Sequence, residues 1–310
     1  MFKYVIRRLL YAMLTVLGVV TIVFILQRTT GDPIAVLLPA DVPLEEQARF
    51  RAILGLDQPL HIQYVKFLMG MVRGDLGYSY RQGAPALTLV LERVPPTLKL
   101  AAAGMAIAIA IGLPAGVLAA VNRGTALDRL VMSSALVGQA MPVYWTGILL
   151  ILLLSVRLRW LPAIGYGGVK SLIMPALAVG SYSAARIARM TRSSMLDVLR
   201  MDYVRTARSK GLNNRSVVVG HALRNALIPI VTVLGMEFGS LMGGSVIVET
   251  VFAWPGVGRL AVNAIMGRDY PVVQAVVIVV SAIFVLINLG VDLTYGLLDP
   301  RISIANSRKR

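Results

Sequence analysis

Few residues of this 310-residue chain are of types that do bond chemistry, and their spacing excludes most of it. There are two histidines, His61 and His221, and no cysteine. The spans read below put those histidines on opposite sides of a membrane. A His/Cys metal site, a thiol nucleophile, a disulfide and a Ser-His-Asp relay are therefore excluded. Gly165-Tyr166-Gly167-Gly168-Val169-Lys170-Ser171 has the glycines and the lysine of a phosphate loop. Such a loop needs glycine directly before the lysine, and Val169 stands there. Asn214-Arg215-Ser216 fits a glycosylation sequon, but it falls on the inner side and is discounted. We expect no catalytic residue, no cofactor and no bound metal.

Two other features carry functional weight. Glu237 and Asp292 interrupt apolar runs, and an acid inside a span is a functional candidate because burying its charge is costly. Glu237 stands among Gly235, Gly239 and Gly243, a repeated small-xxx-small pattern that permits close helix packing. It is either a polar contact on a solute path, with Ser240 beside it, or a protonated or hydrogen-bonded packing residue. Asp292 also belongs to the candidate path set, although a structural hydrogen bond or a basic partner explains it more simply. The second feature is the basic segment Asp202-Tyr203-Val204-Arg205-Thr206-Ala207-Arg208-Ser209-Lys210-Gly211-Leu212, followed by Asn225-Ala226-Leu227-Ile228-Pro229. Tyr203 to Ser209 fits two helical turns, and Gly211 can take the left-handed conformation that ends them. Leu212 then restarts the chain at an angle. A short polar helix of this kind can enter a cleft on a soluble partner, or lie on anionic lipid.

The elements that position these residues are membrane helices. The chain is 57% hydrophobic and 15% charged, against about 25% charge in ordinary soluble domains. Six apolar stretches reach the roughly 20 residues a bilayer requires, at about 9–28, 97–121, 131–155, 171–190, 228–252 and 273–297. The first follows Lys3, Arg7 and Arg8 and is too long for a signal-peptide core, so it reads as an uncleaved span. The fourth contains Pro175, Ser181, Ser183 and Arg186 and should be shielded by other helices. No basic residue reads as lying well inside a span. The net charge of +16 is one-sided. With both termini inside, inner segments hold eighteen basic residues against four acidic ones, and the rest holds thirteen against eleven.

The outer segment 29–96 has turn signals at Gly31-Asp32-Pro33 and Gly74-Asp75-Leu76-Gly77. Between them Leu60, Tyr64, Phe67, Leu68 and Met71 recur at helical spacing. The segment is either a docking surface for an extracytoplasmic partner or a cap over helix ends. A second outer helix is expected around Val257–Met266, with Trp254 and Tyr270 at the membrane interface. No internal repeat suggests an inverted-repeat carrier.

Further stretches carry a family resemblance. They are Arg7-Arg8-Leu9-Leu10, Gly74-Asp75-Leu76-Gly77-Tyr78-Ser79, Glu92-Arg93-Val94-Pro95-Pro96-Thr97, Pro142-Val143-Tyr144-Trp145-Thr146-Gly147 and Trp160-Leu161-Pro162. The last third adds Glu249-Thr250-Val251-Phe252-Ala253-Trp254-Pro255-Gly256, Asp269-Tyr270-Pro271-Val272-Val273-Gln274 and Asp299-Pro300-Arg301. With these the chain resembles, nearly end to end, the permease subunit of bacterial ATP-binding-cassette importers for dipeptides and oligopeptides.

The resemblance implies an all-α polytopic protein of the inner membrane with six spans, both termini cytoplasmic, and the type I importer permease fold. One permease domain would span 1–310, with an outer segment 29–96 and a cytoplasmic coupling loop 191–227. Such permeases carry a Glu-Ala-Ala element, a glycine and a later proline that couple to an ATPase. Here the element reads Arg205-Thr206-Ala207, with Gly211 and Pro229, so arginine replaces the leading glutamate. Tyr203, Arg205, Thr206, Ala207, Lys210, Gly211, Leu212 and Pro229 would carry the coupling. The implied partners are a second homologous permease, two ATPase subunits that hydrolyse the ATP, an extracytoplasmic solute-binding protein and membrane lipid, with no nucleic acid. Neighbouring branches import nickel, glutathione or other small solutes. An ion-coupled carrier acting alone would need charged pairs within the membrane.

Overall fold

The computed structural model describes residues 2–29, 42–53 and 55–298, with no side chains described from 291 onward. Gly31-Asp32-Pro33 and Asp299-Pro300-Arg301 lie outside the described residues, and so does the side chain of Asp292. Apart from one two-stranded hairpin the described elements are helical. Two compact units divide the chain: Met1–Pro95 with Gly256–Val285, and Pro96–Pro255 with Leu286–Arg310.

The first unit contains α1 (Phe2–Thr29), α2 (Leu44–Ile53), α3 (Leu60–Val72), the hairpin β1 (Tyr78–Ser79) and β2 (Ala84–Pro85), and α10 (Val257–Met266). It also holds the start of α4 (Ala86–Val121) and the first half of α11 (Tyr270–Leu298). As the spacing predicts, α3 lays Phe67, Leu68 and Met71 on a core built around Val20, Leu76, Val90, Leu260, Val272 and Ile278. Tyr64 of α3 shares a 2.6 Å hydrogen bond with Thr21 of α1 and meets Phe24 edge-on at 5.2 Å. Gly74 and Gly77 turn the chain with φ of +79° and +90°. The Ser79 hydroxyl donates to the Asp269 carboxylate, which ties the hairpin to the loop before α11.

The second unit holds the rest of α4, α5 (Ala126–Ala140), α6 (Val143–Leu150), α7 (Val169–Val198), α8 (Asp202–Ser209) and α9 (Arg224–Val251). Helix α6 continues through Ile151–Arg157, and α9 is preceded by Ser216–Leu223; both stretches have the wider turns of a π-helix. Helix α7 is buried along most of its length from Met174 to Met195, in line with its polar composition.

Close approach of α4 and α7 organises this unit. Gly104, Ala108, Gly112 and Gly116 recur every four residues on α4, opposite Ala176, Gly180, Ala184 and Ala188 on α7. A Cβ at Gly112 or Gly116 would lie 2.5 Å from the carbonyl oxygen of Ala184 or Ala188. Only a missing side chain permits that contact. The expectation of close packing at Gly235-Gly239-Gly243 does not extend to Gly243, where an added Cβ would meet nothing within 4 Å.

Two further expectations are corrected. The stretch 131–155 is not one straight span, because α5 and the helix from Val143 to Arg157 meet at 102°. Pro142 explains the break: it restricts Met141 to an extended conformation (ψ 127°) and cannot donate into a helix ladder. Trp254 is not an interfacial belt residue. It is 1% exposed, donates from Nε1 to the Pro96 carbonyl at 3.0 Å and meets Tyr166 edge-on. Among the described residues, Ala86–Val121 and Tyr270–Gly290 are each long and apolar enough to cross a membrane. Two bent helix pairs reach that length jointly, Ala126–Ala140 with Val143–Arg157, and Ser216–Leu227 with Pro229–Gly243.

Candidate functional site: a polar surface helix and a buried ion pair

Eight residues on their own are too short to make a stable helix in water, so α8 needs tertiary support. Val204 and Ala207, one turn apart, are buried and pack with Val217, beside Val198 and Leu199. Asp202 in the first turn and Arg208 in the last complement the helix dipole. Thr206 Oγ1 donates to the Asp202 carbonyl at 3.0 Å, and Ser209 Oγ donates to the Arg205 carbonyl at 3.1 Å. The helix ends through Lys210, and Gly211 follows at φ +75°, with nothing within 4 Å of where its Cβ would stand. Asn213 then accepts from the Ser216 N–H at 2.8 Å and opens the next helical stretch.

The outward face of α8 consists of Tyr203, Arg205, Thr206 and Arg208, extended by Lys210, Gly211 and Leu212, all exposed. The Tyr203 hydroxyl accepts from Asn225 Nδ2 at 2.8 Å, linking this face to the start of α9. Arg205 and Asp202 are 4.0 Å apart and both well exposed, a pairing that contributes little. The expected coupling set therefore splits. Six of its members lie on the open face, whereas Ala207 faces inward and anchors the helix. Pro229 sits inside α9, half-buried, well along the chain from the surface helix.

A second anchor lies beside this region. Arg192 of α7 grips Asp128 of α5 with two hydrogen bonds, Nε to Oδ1 at 2.6 Å and Nη2 to Oδ2 at 2.8 Å. Asp128 Oδ2 also accepts from the Gly124 N–H at 2.9 Å, and Thr125 caps the same turn. The arginine and the backbone N–H hold the carboxyl at a pKa of about 2, while the carboxylate raises that of Arg192. The pair pins the α4–α5 loop to the end of α7 that leads into α8. No sequence pattern marked Asp128 as a partner for Arg192, because 64 residues separate them.

The deep polar site pairs residues that the sequence reading treated separately. Glu237, midway along α9, is 2% exposed. One carboxylate oxygen accepts from Ser183 Oγ at 2.9 Å, and the other meets Arg186 Nη1 at 2.7 Å. Both partners come from α7, one turn apart. Arg186, read from the sequence only as a polar member of the fourth span, is thus the basic partner of the acid. Burying a lone carboxylate is prohibitive, and a hydrogen-bonded cation is the remedy available to a helix interior. Ser240, three residues along α9 from the buried acid, is exposed.

Comparison with known proteins covers nearly the whole chain. Residues 112–304 match the family described as binding-protein-dependent transport system inner membrane component, and residues 1–101 match its N-terminal companion. The dipeptide transport system permease protein DppB of Escherichia coli strain K12 is 38% identical over 335 residues, covering 97% of this chain and 99% of that protein. The di/tripeptide transport system permease protein DppB of Pseudomonas aeruginosa strain UCBPP-PA14 is 41% identical, with the same coverage. The glutathione transport system permease protein GsiC of Salmonella typhimurium strain LT2 is 43% identical over 303 residues, again covering 97% and 99%. Among solved structures, an inward-facing MetNI methionine ABC transporter chain aligns with a TM-score of 0.60 at 22% identity, over 68% of this chain and 96% of that one. An amino acid ABC transporter chain aligns at 0.51 and 19% identity. These two support the fold alone. By its match over both segments and its identity to full-length relatives, the chain belongs to the family of binding-protein-dependent transport system inner membrane components.

Proposed function

We propose that this chain is a membrane-spanning subunit of an ATP-driven importer of peptides, dipeptides or oligopeptides, across the bacterial inner membrane. The observation that carries this reading is the near-complete overlap with relatives named as dipeptide and di/tripeptide permeases. In the complex it pairs with a second homologous permease, two ATPase subunits and an extracytoplasmic solute-binding protein. Six spans place both termini in the cytoplasm, on the side where basic residues predominate. The chain makes no nucleotide chemistry of its own; its role is mechanical.

The open face of α8 supports a coupling role. Tyr203, Arg205, Thr206, Lys210, Gly211 and Leu212 present a basic, solvent-facing knob on an apolar seat. Arg205 at the head of the motif calls for an acidic rather than a basic counterpart in the ATPase cleft. ATP binding closes the ATPases and moves α8; α7 and α9 follow because α8 joins α7 through a short turn and meets α9 at Tyr203–Asn225. Asp292 of α11 and Ser240 remain proposed members of the translocation path.

Reconstitution of the full complex in liposomes tests the reading. ATP-dependent uptake of a labelled dipeptide that needs the binding protein is expected. Uptake of glutathione in place of dipeptides would favour the second reading, which rests on the 43% identity to glutathione permeases. Uptake of nickel alone would overturn both.

A further inference from the structure

The buried ion pair has an asymmetry that assigns it a task. Glu237 is closed off at 2% exposure, with one oxygen on Ser183 and the other on Arg186. The Arg186 side chain is 41% exposed. A cation present only to neutralise Glu237 would be expected to be buried with it. Instead one guanidinium nitrogen meets the buried carboxylate while a substantial part of the side chain stays accessible at the surface of the subunit.

The surroundings indicate what it faces. From Tyr182 onward the uncovered stripe of α7 is Tyr182, Arg186, Arg189 and Ser193, all half-buried or exposed, while the opposite face of alanines and glycine is packed on α4. A stripe of tyrosine, arginine and serine on a membrane helix is not a lipid-facing surface. It belongs beside a water-filled cavity or a protein path.

We propose that Arg186 is a binding residue of the translocation path that receives the free carboxylate of the solute, with Glu237 and Ser183 as the residues that position it. The ligand class is a small carboxylate-bearing solute, such as a peptide with an unblocked C-terminus. This rests on the importer reading above. A guanidinium has five donors in a planar fork, and a pair that spends one Nη on Glu237 keeps others for a second carboxylate. Glu237 holds the fork in a single orientation and offsets its charge. The solute is therefore gripped for passage rather than trapped, which is what a path needs and a storage site does not. Glu237 itself is not the contact: both its oxygens are occupied and it is closed to solvent.

The test uses the full reconstituted complex and two probes, alanyl-alanine and its C-terminal amide, each loading the binding protein to the same extent. The readout is the ratio of their uptake rates in wild type, in Arg186→Lys, and in Arg186→Gln combined with Glu237→Gln. The double variant leaves no orphaned buried charge. A lost charge-assisted contact should lower the dipeptide-to-amide ratio about tenfold in the double variant, with a smaller fall in Arg186→Lys, which keeps charge but not the fork. A purely structural pair would slow both solutes alike. An unchanged ratio in both variants, whether or not the absolute rates fall, overturns the inference while wild-type dipeptide uptake leaves the importer reading intact. If the double variant does not assemble, the ratio in Arg186→Lys decides. Wild type that imports neither probe, with the binding protein loaded, sinks the peptide reading first.

Discussion

Gly211 offers a direct test of how the surface helix ends. Its φ is +75°, and nothing stands within 4 Å of the position a Cβ would take. A Cβ there meets no atom of this chain, so its intramolecular cost is backbone strain. That strain is about 1–2 kcal/mol for an ordinary L-residue in the left-handed region. It is less for asparagine, whose side chain tolerates the conformation, and more for a β-branched residue. An eight-residue helix held by Val204 and Ala207 has little stability to spare, so a cost of this size is enough to let its last turn unwind or re-aim.

The expected order of ATP-dependent uptake is therefore wild type, then Gly211→Asn, then Gly211→Ala, with Gly211→Val lowest. The assay is solute uptake per ATP hydrolysed in the reconstituted complex, alongside the amount of ATPase that copurifies with the permease. Asparagine is larger than alanine, which separates the two possible causes. If Gly211→Ala works better than Gly211→Asn, volume and not φ is decisive. The glycine would then be required by close approach of the ATPase, and the conformational reasoning would be refuted.

Two more predictions concern stability. Gly112→Ala should destabilise the subunit by about 1–2 kcal/mol, since overpacking outweighs the roughly 1 kcal/mol gain in helix propensity; Gly138→Ala, whose Cβ would meet Ala185 at an ordinary 3.9 Å, should be neutral or slightly stabilising. Thermal unfolding of the detergent-solubilised subunit separates the two, and equal midpoints would contradict the α4–α7 contact. For the Asp128–Arg192 pair, the carboxyl titrates lower in the folded state, at about 2, than its ordinary 3.8. Its contribution is therefore complete above pH 3.8 and is lost as pH falls through about 2. The stability advantage of wild type over Asp128→Asn should be constant from pH 5 to 8 and shrink between pH 4 and 2. A difference that grows on acidification would disprove the ion pair.

The coarse outline was legible because it follows from composition and local chemistry. Apolar runs, one-sided charge and the lack of histidine and cysteine chemistry are additive properties of the chain. The helix Val257–Met266, the face of α3 and the positive φ of Gly211 follow from turn residues and periodicity that act within a few positions. The break at Pro142 was readable in principle, since proline restricts its predecessor, but a run of apolar residues on both sides concealed it. The four-residue stripes Gly104-Ala108-Gly112-Gly116 and Ala176-Gly180-Ala184-Ala188 were also visible as patterns, yet only their meeting gives them meaning.

The sequence by itself determined that this is a helical membrane subunit with a short polar helix ended by glycine, because hydropathy, charge bias and backbone preference are set residue by residue. Tertiary structure alone decided which polar groups share a site. Asp128 and Arg192, Ser183 and Glu237, and Arg186 and Glu237 are 64, 54 and 51 residues apart. Their pairing depends on the register of α7 against α5 and α9. That register is set in turn by how closely α7 can approach its neighbours, a sum of contacts along the helices that no local pattern encodes. It is also what buried Glu237 and left the Arg186 side chain that pairs with it partly accessible.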